Sequence, residues 1–318
     1  MAEILPISAL IPTRNRAVVF RRTLESLGQQ SVQPDEIVVV DGSDDESTAV
    51  VCREKIANLE TKIRYFRADK LGAAVQRNQA IAEATQEVIW LLDDDILLEP
   101  ECLQRLWTAL HSDPKVGGVN AMITNQKYTP PGRISRLLYE ILSGQKRESY
   151  AGQCLGPALN LLPEDREELP EVVPVDWLNT TCVLYRREAL PEPLFPSNFR
   201  GYSLMEDVTL SLTVGKKWQL LNARTARIFH DSQPGDHKNS QKVLAQMDLV
   251  NRHFVMTKIL ERRQLSDYFK LTLLQLFSIA ALFGSQGNVK DLPAVVSGKI
   301  AGLFEILNST KTQKHSPS

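Results

Sequence analysis

The sequence predicts an α/β protein: an open mixed, largely parallel sheet wrapped by helices, with a Rossmann-like nucleotide-binding half and a C-terminal helical extension. Three observations predict it. Apolar strand-length runs alternate with helix-length stretches in β-α-β-α-β-α-β order over the first hundred residues, with short connections. Three of those strands run straight into polar, mostly acid-bearing turns. From about Ser240 the pattern turns wholly helical, which sets the expected division at 1–238 and 239–318.

Taken in order, Ile7 to Ile11 is a first strand closed by Pro12-Thr13-Arg14-Asn15-Arg16. A helix from Ala17 to Gln29 follows, with Val19, Phe20, Leu24 and Leu27 at helical spacing. Glu36 to Val40 is a second strand ending at Asp41-Gly42-Ser43-Asp44-Asp45, whose Ser43 or Asp44 suits a helix cap. Ile63 to Phe66 is a short third strand, and Gly72-Ala73-Ala74 opens a helix carrying Arg77 and Asn78. Val88 to Leu92 is wholly apolar, the pattern of a strand buried on both faces, and it breaks into Asp93-Asp94-Asp95. A helix over Cys102–Leu110 and a strand over Val116–Thr124 come next. A helix at Arg133–Leu142 follows, set among loops that fill 125–172. Strand character returns between Pro174 and Arg186; Glu206-Asp207 opens another helix; Trp218–Leu221 and Arg227–Phe229 read as two short strands, with His230 after the second. The tail reads as helices over Val243–Leu260, Tyr268–Phe283 and Leu292–Leu307.

Right-handed crossovers bring the turns at 12–16, 41–45 and 93–95 to one edge of the sheet, the edge where open α/β sheets bind ligands. Strand alternation points Asp93 and Asp95 to one side and Asp94 to the other. Two carboxylates crowded together repel, and a hard divalent cation, Mg²⁺ or Mn²⁺, relieves the repulsion while bridging to substrate phosphates. The competing reading is a solvated acidic loop at the start of the next helix. Arg14 and Arg77 likewise have two readings, phosphate-holding groups in the crevice or surface residues. No GxxxxGK[ST] loop and no GxGxxG fingerprint occurs, which argues against a P-loop NTPase and a dinucleotide dehydrogenase.

Composition narrows the classes further. Lys plus Arg (37) balance Asp plus Glu (38), so no global field favours nucleic acid. Four cysteines, Cys52, Cys102, Cys154 and Cys182, form no CxxC pair and fit a reducing, cytoplasmic compartment. Asn179-Thr180-Thr181 and Asn308-Ser309-Thr310 match the glycosylation pattern, but nothing else suggests secretion. The N-terminus enters a strand-like run without a signal-peptide pattern, and no apolar run reaches the ~18 residues of a membrane span.

Five motifs in order then carry a resemblance: Ile-Pro-Thr-Arg-Asn-Arg (11–16), Val-Val-Asp-Gly-Ser-Asp-Asp (39–45), Gly-Ala-Ala-Val-Gln-Arg-Asn (72–78), Leu-Leu-Asp-Asp-Asp (91–95) and Glu206-Asp207. Together, to about residue 230, the chain resembles a family 2 glycosyltransferase of GT-A fold. The resemblance implies a nucleotide-diphospho-sugar donor, a divalent metal and inverting transfer to an acceptor hydroxyl. It implies that Pro12, Thr13 and Arg14 line the nucleotide pocket, that Asp41 reads base or ribose with Asp44 or Asp45 nearby, and that Arg77 lies near the donor. By the same likeness Asp93 and Asp95 contact ribose and metal, and Asp207 is the general base. His230 sits where some GT-A enzymes place a histidine on the metal, and His237 follows in a Gly-containing loop. The base has a plain alternative, since an acid in a helix's first turn also serves as a cap or dipole partner.

The Q-x-x-R-W motif of processive members is absent after Asp207, which favours adding one sugar at a time to a saccharide or lipid-linked acceptor in polysaccharide or glycolipid synthesis. Two rivals stay open: a sugar-1-phosphate nucleotidylyltransferase, though Pro12–Arg16 lacks that class's glycines, and a non-catalytic nucleotide-sugar-binding protein. The tail has two readings as well. Leu271 to Phe283 is apolar at most positions, as in a helix packed on the catalytic domain or another subunit, or in a helix lying in the inner face of the cell membrane. For the second reading Lys258, Arg262, Arg263 and Lys270 stand ready for anionic headgroups.

Overall fold

A computed structural model of the protein describes residues 2–199, 203–233, 240–284 and 287–314. The chain opens with β1 (Glu3–Thr13), α1 (Ala17–Leu27), β2 (Val32–Asp41), α2 (Ser47–Arg53), β3 (Lys62–Arg67), α3 (Ala73–Glu83) and β4 (Val88–Leu92). It continues through β5 (Ile96–Leu98), α4 (Cys102–Leu110), β6 (Val116–Ile123), α5 (Arg133–Ser143), β7 (Cys154–Leu155), β8 (Leu159–Asn160), β9 (Val172–Pro174) and β10 (Cys182–Arg186). It ends with α6 (Glu206–Val214), β11 (Gln219–His230), α7 (Gln241–Phe254), α8 (Leu265–Ala280) and α9 (Leu292–Lys314).

These elements form two compact units. The first comprises residues 1–129, 151–153 and 161–233; the second comprises 130–150, 154–160 and 234–318. The second unit therefore draws in α5 and the β7–β8 hairpin as well as the tail, where the sequence reading drew a single line at 238.

In the first unit the sheet runs β3-β2-β1-β4-β10-β6-β11-β5, with β9 paired to β11. The first four strands are parallel, as the alternating sequence predicts. β10 then enters antiparallel between β4 and β6, and β11 lies parallel to β6, giving the mixed sheet. Every residue of β4 is buried, because this central strand has a neighbour on both edges and side chains packed on both faces. Trp90, Leu92 and Ile11 pack with Phe20, Leu24 and Leu27 of α1 and with Leu103 and Leu106 of α4 in one core.

One expectation needs correction. The two short strands read at 218–221 and 227–229 are one strand, β11, whose register against β6 jumps between Ala223 and Arg227. The extra residues interrupt the apolar pattern without ending the strand, as a bulge does. The bulge matters for the site, because beyond it Ile228 to His230 pair with β5, the segment just after the acidic triplet.

In the second unit α7 and α9 lie side by side. Gly298 allows that closeness, since a Cβ there would stand 2.1 Å from the Lys242 carbonyl oxygen. Lys299 reaches across to Asp248, and Leu271 of α8 packs with Leu249, Met256 and Ile306. Among the described residues one helix, Leu265–Phe283, is long and apolar enough by length and composition to cross a membrane, where the sequence predicts no apolar run of that length.

Candidate active site

The site lies wholly in the first unit, where β1, β2 and β4 end together. Thr13 and Asp41 are register partners, and the Gly42 N–H donates to the Thr13 carbonyl at 2.9 Å. The three turns expected at one edge are therefore stitched together.

The acidic triplet splits as strand alternation predicts. Asp94 turns inward and is buried, accepting from Thr13 Oγ1 at 2.6 Å and from Arg16 Nη1 at 3.2 Å. Asp93 and Asp95 turn together toward His230, and one ligand atom from each of the three lies within 4.8 Å of the others. β5 explains how His230 arrives there: it pairs antiparallel with the end of β11, setting His230 opposite Ile96. His230 Nε2 then lies 3.1 Å from Asp95 Oδ1, while Nδ1 lies 3.2 Å from the Gln126 amide. Arg16 Nη1 at 3.3 Å and the Gln233 N–H at 3.3 Å complete the surroundings of Asp95.

A second acidic group adjoins the first through one guanidinium. Arg77, on α3 and only 3% exposed, donates from Nη2 to Asp93 Oδ1 at 2.5 Å and from Nη1 to Glu206 Oε1 at 3.2 Å. Glu206 and Asp207 form the first turn of α6, entered through Met205 in the left-handed region at φ 74°. That conformation is uncommon and strained for a residue other than glycine, and such strain gathers where backbone must aim functional groups. Asp207 Oδ1 accepts from the Val208 N–H at 2.7 Å, and both Arg77 Nε and Glu206 Oε2 are buried without a hydrogen-bond partner.

The remaining predicted residues fall around this centre in different ways. Pro12 is buried in β1 opposite Val40, and Thr13 is tied to Asp94 as above. Arg14 is exposed and makes no ion pair among the described residues. Asp41 is buried at the end of β2; one oxygen accepts from the Ser43 N–H at 2.8 Å and the other from Tyr65 Oη at 2.9 Å, with Arg67 at 3.4 Å. Asp44 is exposed and exchanges two hydrogen bonds with Asn15, through its own N–H at 2.9 Å and its carboxylate at 2.8 Å. His237 lies outside the described residues.

Electrostatics separates Asp95 from Glu206 and Asp207. Burial raises Asp95, but the hydrogen bond and charge of His230, with Arg16 and the Gln233 N–H, outweigh it and hold the carboxyl below its ordinary value. Burial pushes Glu206 up to about 8 against the pull of Arg77, and pushes Asp207 up to about 6. Asp94, buried beside its two acidic neighbours, is also raised to about 6 despite Arg16 and Thr13.

Three contributors escape motif reading. Arg16 was only the last letter of a turn, yet it bridges Asp94 and Asp95. Glu206 was read as the lesser neighbour of Asp207, yet it carries the Arg77 contact. Asn179-Thr180-Thr181 matched a glycosylation pattern, but all three are buried, and the Thr181 carbonyl accepts from the Asp93 N–H at 3.0 Å. No local signal marks that segment; only the antiparallel insertion of β10 beside β4 brings it to the triplet.

With this geometry in place, comparison with known proteins is decisive. The family profile described as Glycosyl transferase family 2 matches residues 8–190, more than half of the chain. The chain belongs to this family. Among curated relatives, the validoxylamine A glucosyltransferase of Streptomyces hygroscopicus is 33% identical over 112 residues, 34% of this chain and 24% of that protein. A Campylobacter jejuni enzyme, GalNAc(5)-diNAcBac-PP-undecaprenol beta-1,3-glucosyltransferase, is 30% identical over 92 residues, 28% of this chain and 29% of that one. The chain thus spans under a third of the length of either relative. Among solved structures, the mannosyltransferase PcManGT from Pyrobaculum calidifontis, in complex with GDP-Man and Mn²⁺, superposes with a TM-score of 0.53. It is 16% identical, and the match covers 96% of this chain and 83% of that one. The chain has the GT-A fold of such neighbours, and its family membership argues against the nucleotidylyltransferase reading.

Proposed function

We propose that this glycosyltransferase moves one sugar at a time from a nucleotide-diphospho-sugar to an acceptor hydroxyl, with inversion and with Mg²⁺ or Mn²⁺. The observation that carries the reading is the single constellation in which Arg77 joins the Asp93–Asp95–His230 group to the Glu206–Asp207 turn.

Two carboxylates and an imidazole suit a divalent cation, and the nitrogen donor leans the choice toward Mn²⁺ over Mg²⁺. Such a cation, held by Asp93, Asp95 and His230, would supply Lewis-acid stabilisation to the departing nucleoside diphosphate. Asp207 is the base. Its carboxyl is raised to about 6, so it is ionised at neutral pH yet basic enough to take the proton of an acceptor hydroxyl. Glu206 and Asp93 hold Arg77 between them, keeping a fixed positive charge beside the donor. Asp94 and Arg16 set the shape of the triplet. Pro12, Thr13, Arg14, Asp41 and Asp44 form the nucleotide side, with Asp41 and Asp44 fixing the turn that meets the base and ribose.

For the acceptor, a saccharide or a lipid-linked saccharide fits the names of the relatives, one of which acts on an undecaprenol-linked chain. Free thiols at all four cysteines accord with a cytoplasmic setting. A screen of UDP-, GDP- and dTDP-sugars for donor hydrolysis, with Mn²⁺ and with chelator, tests the reading. Metal-dependent release of one nucleoside diphosphate is expected, and hydrolysis indifferent to chelator would overturn the metal role.

A further inference from the structure

The second unit carries an apolar surface that the proposed chemistry does not use. Along α8 and its last turn, Leu265, Phe269, Thr272, Leu276, Ala280 and Phe283 are all exposed. Their spacing of three to four residues puts them on one stripe. Leu265 is 89% exposed, Phe269 63%, Leu276 59% and Phe283 63%. The opposite face is committed elsewhere, since Leu271 and Leu274 are buried and Leu271 packs with Leu249, Met256 and Ile306. At a rise of about 1.5 Å per residue the stripe is ~27 Å long.

A neighbouring helix of the same unit repeats the pattern. α5 packs beside α8, and Lys270 donates to the Leu142 carbonyl at 3.0 Å. α5 buries Leu138 and Leu142 but exposes Ile134 and Leu137, each directly after a cation, Arg133 and Arg136.

Charge selects the occupant. Arg262 and Arg263 stand exposed just before α8 and Lys270 lies on it; each is anchored by one hydrogen bond to a backbone carbonyl, of Gly156, Thr257 and Leu142, which leaves its charge uncompensated by those bonds. The one acid of the helix, Asp267, is spent on its cap, accepting from the Gln264 N–H. No acidic residue occurs between Asp267 and Asp291.

We infer that α8, aided by α5, lies in the plane of an anionic lipid surface, sinking the Leu265–Phe283 stripe among the acyl chains while flanking cations meet the headgroups. The stripe is one side chain wide per turn, too narrow for a stable protein interface, which takes roughly 800 Å² from each partner. A bilayer-crossing helix would have to give up the packing of Leu271 and Leu274. This inference does not depend on which sugar or acceptor the enzyme uses.

The test is flotation of the full chain with phosphatidylcholine vesicles and with vesicles carrying 30% phosphatidylglycerol as the probe, about 30% being ample to set a surface potential. The double variant Phe269→Glu, Leu276→Glu changes only exposed positions, and its helical circular-dichroism signal and thermal melt report whether it remains folded. The expected result is recovery of the wild-type protein with anionic vesicles, weakened by salt, and at least tenfold less recovery of the folded double variant. Equal flotation of variant and wild type, or none of either, overturns the inference. So does a wild-type dimer in solution that the same two substitutions split, because the stripe would then face a second copy.

Discussion

Two groups of carboxylates sit on either side of Arg77, and Asp95 in one holds its proton in the opposite way from Glu206 and Asp207 in the other. On one side Asp95 is kept ionised by His230, Arg16 and the Gln233 N–H. On the other, Glu206 and Asp207 are desolvated, and their carboxyls rise to about 8 and about 6. The same functional group thus becomes a place for a cation in one setting and a place for a proton in the other. Arg77 is the divide, with one nitrogen on each group. On the proposed reading the difference matches the roles of two residues: Asp95, held by cations, serves the donor, and Asp207 takes the acceptor's proton, while Asp94, also raised to about 6, is turned inward onto Thr13 and Arg16.

The sharpest way to break this division is to remove the proton acceptor. Asp207→Asn keeps size and polarity at the first turn of α6, and it should lower kcat by roughly 10²–10⁴, the usual worth of general-base catalysis. Donor affinity should stay within a few-fold. In the parent enzyme the rate should climb as pH rises through about 6, where Asp207 sheds its proton, and the variant should lose that limb. A variant that transfers sugar at the parent rate would move the base elsewhere, and one that loses donor binding would move Asp207 to the other side of Arg77.

Next in size is the cation side. Asp95→Asn keeps the shape but removes the charge that His230 and Arg16 share, and metal-dependent donor affinity should fall by on the order of 100-fold. Calorimetry with the preferred nucleoside diphosphate, with and without Mn²⁺, measures it. His230→Gln should follow in the same direction and more mildly, since two carboxylates remain. Unchanged metal dependence in both would leave the triplet as a solvated loop.

What could be read in advance follows the same divide between local and long-range order. The parallel half was legible because each strand is a continuous apolar run and its polar turn follows at once, as Val88–Leu92 and Asp93–Asp95 show. The split of Asp93, Asp94 and Asp95 came out as read, although Asp94 and Asp95 lie in the turn between β4 and β5 rather than on a strand. Arg77 between two acids was not legible, since Asp93 and Glu206 lie 16 and 129 positions away from it. Nor was the Thr181 carbonyl under Asp93, which depends on an antiparallel insertion that no local pattern announces. The β11 bulge misled for a related reason: the polar residues Arg224 and Thr225 look like a strand end when only the register against β6 has changed.

The smallest effect is expected at Glu206, and it bears on the comparison most directly. If burial governs this carboxyl, the folded protein holds its proton up to about pH 8, whereas the unfolded chain releases it near the ordinary value of 4.5. Between those limits the native state binds more protons than the unfolded one, so this group makes stability fall as pH rises from 5 to 8. Glu206→Gln removes the titration while keeping an oxygen for Arg77. The variant should therefore gain on the parent as pH rises, reaching a Tm a few degrees higher near pH 8, since about 1 kcal/mol moves Tm by roughly 1–2 °C for a chain of this length. Its kcat should drop only a few-fold, because Asp93 still grips the other arm of Arg77. Melting curves of both proteins across pH 5 to 8, in chelator, decide it. A parent that instead gains on the variant as pH rises would mean that Glu206 is ionised and clasped by Arg77, behaving like Asp95, and the guanidinium would then divide nothing.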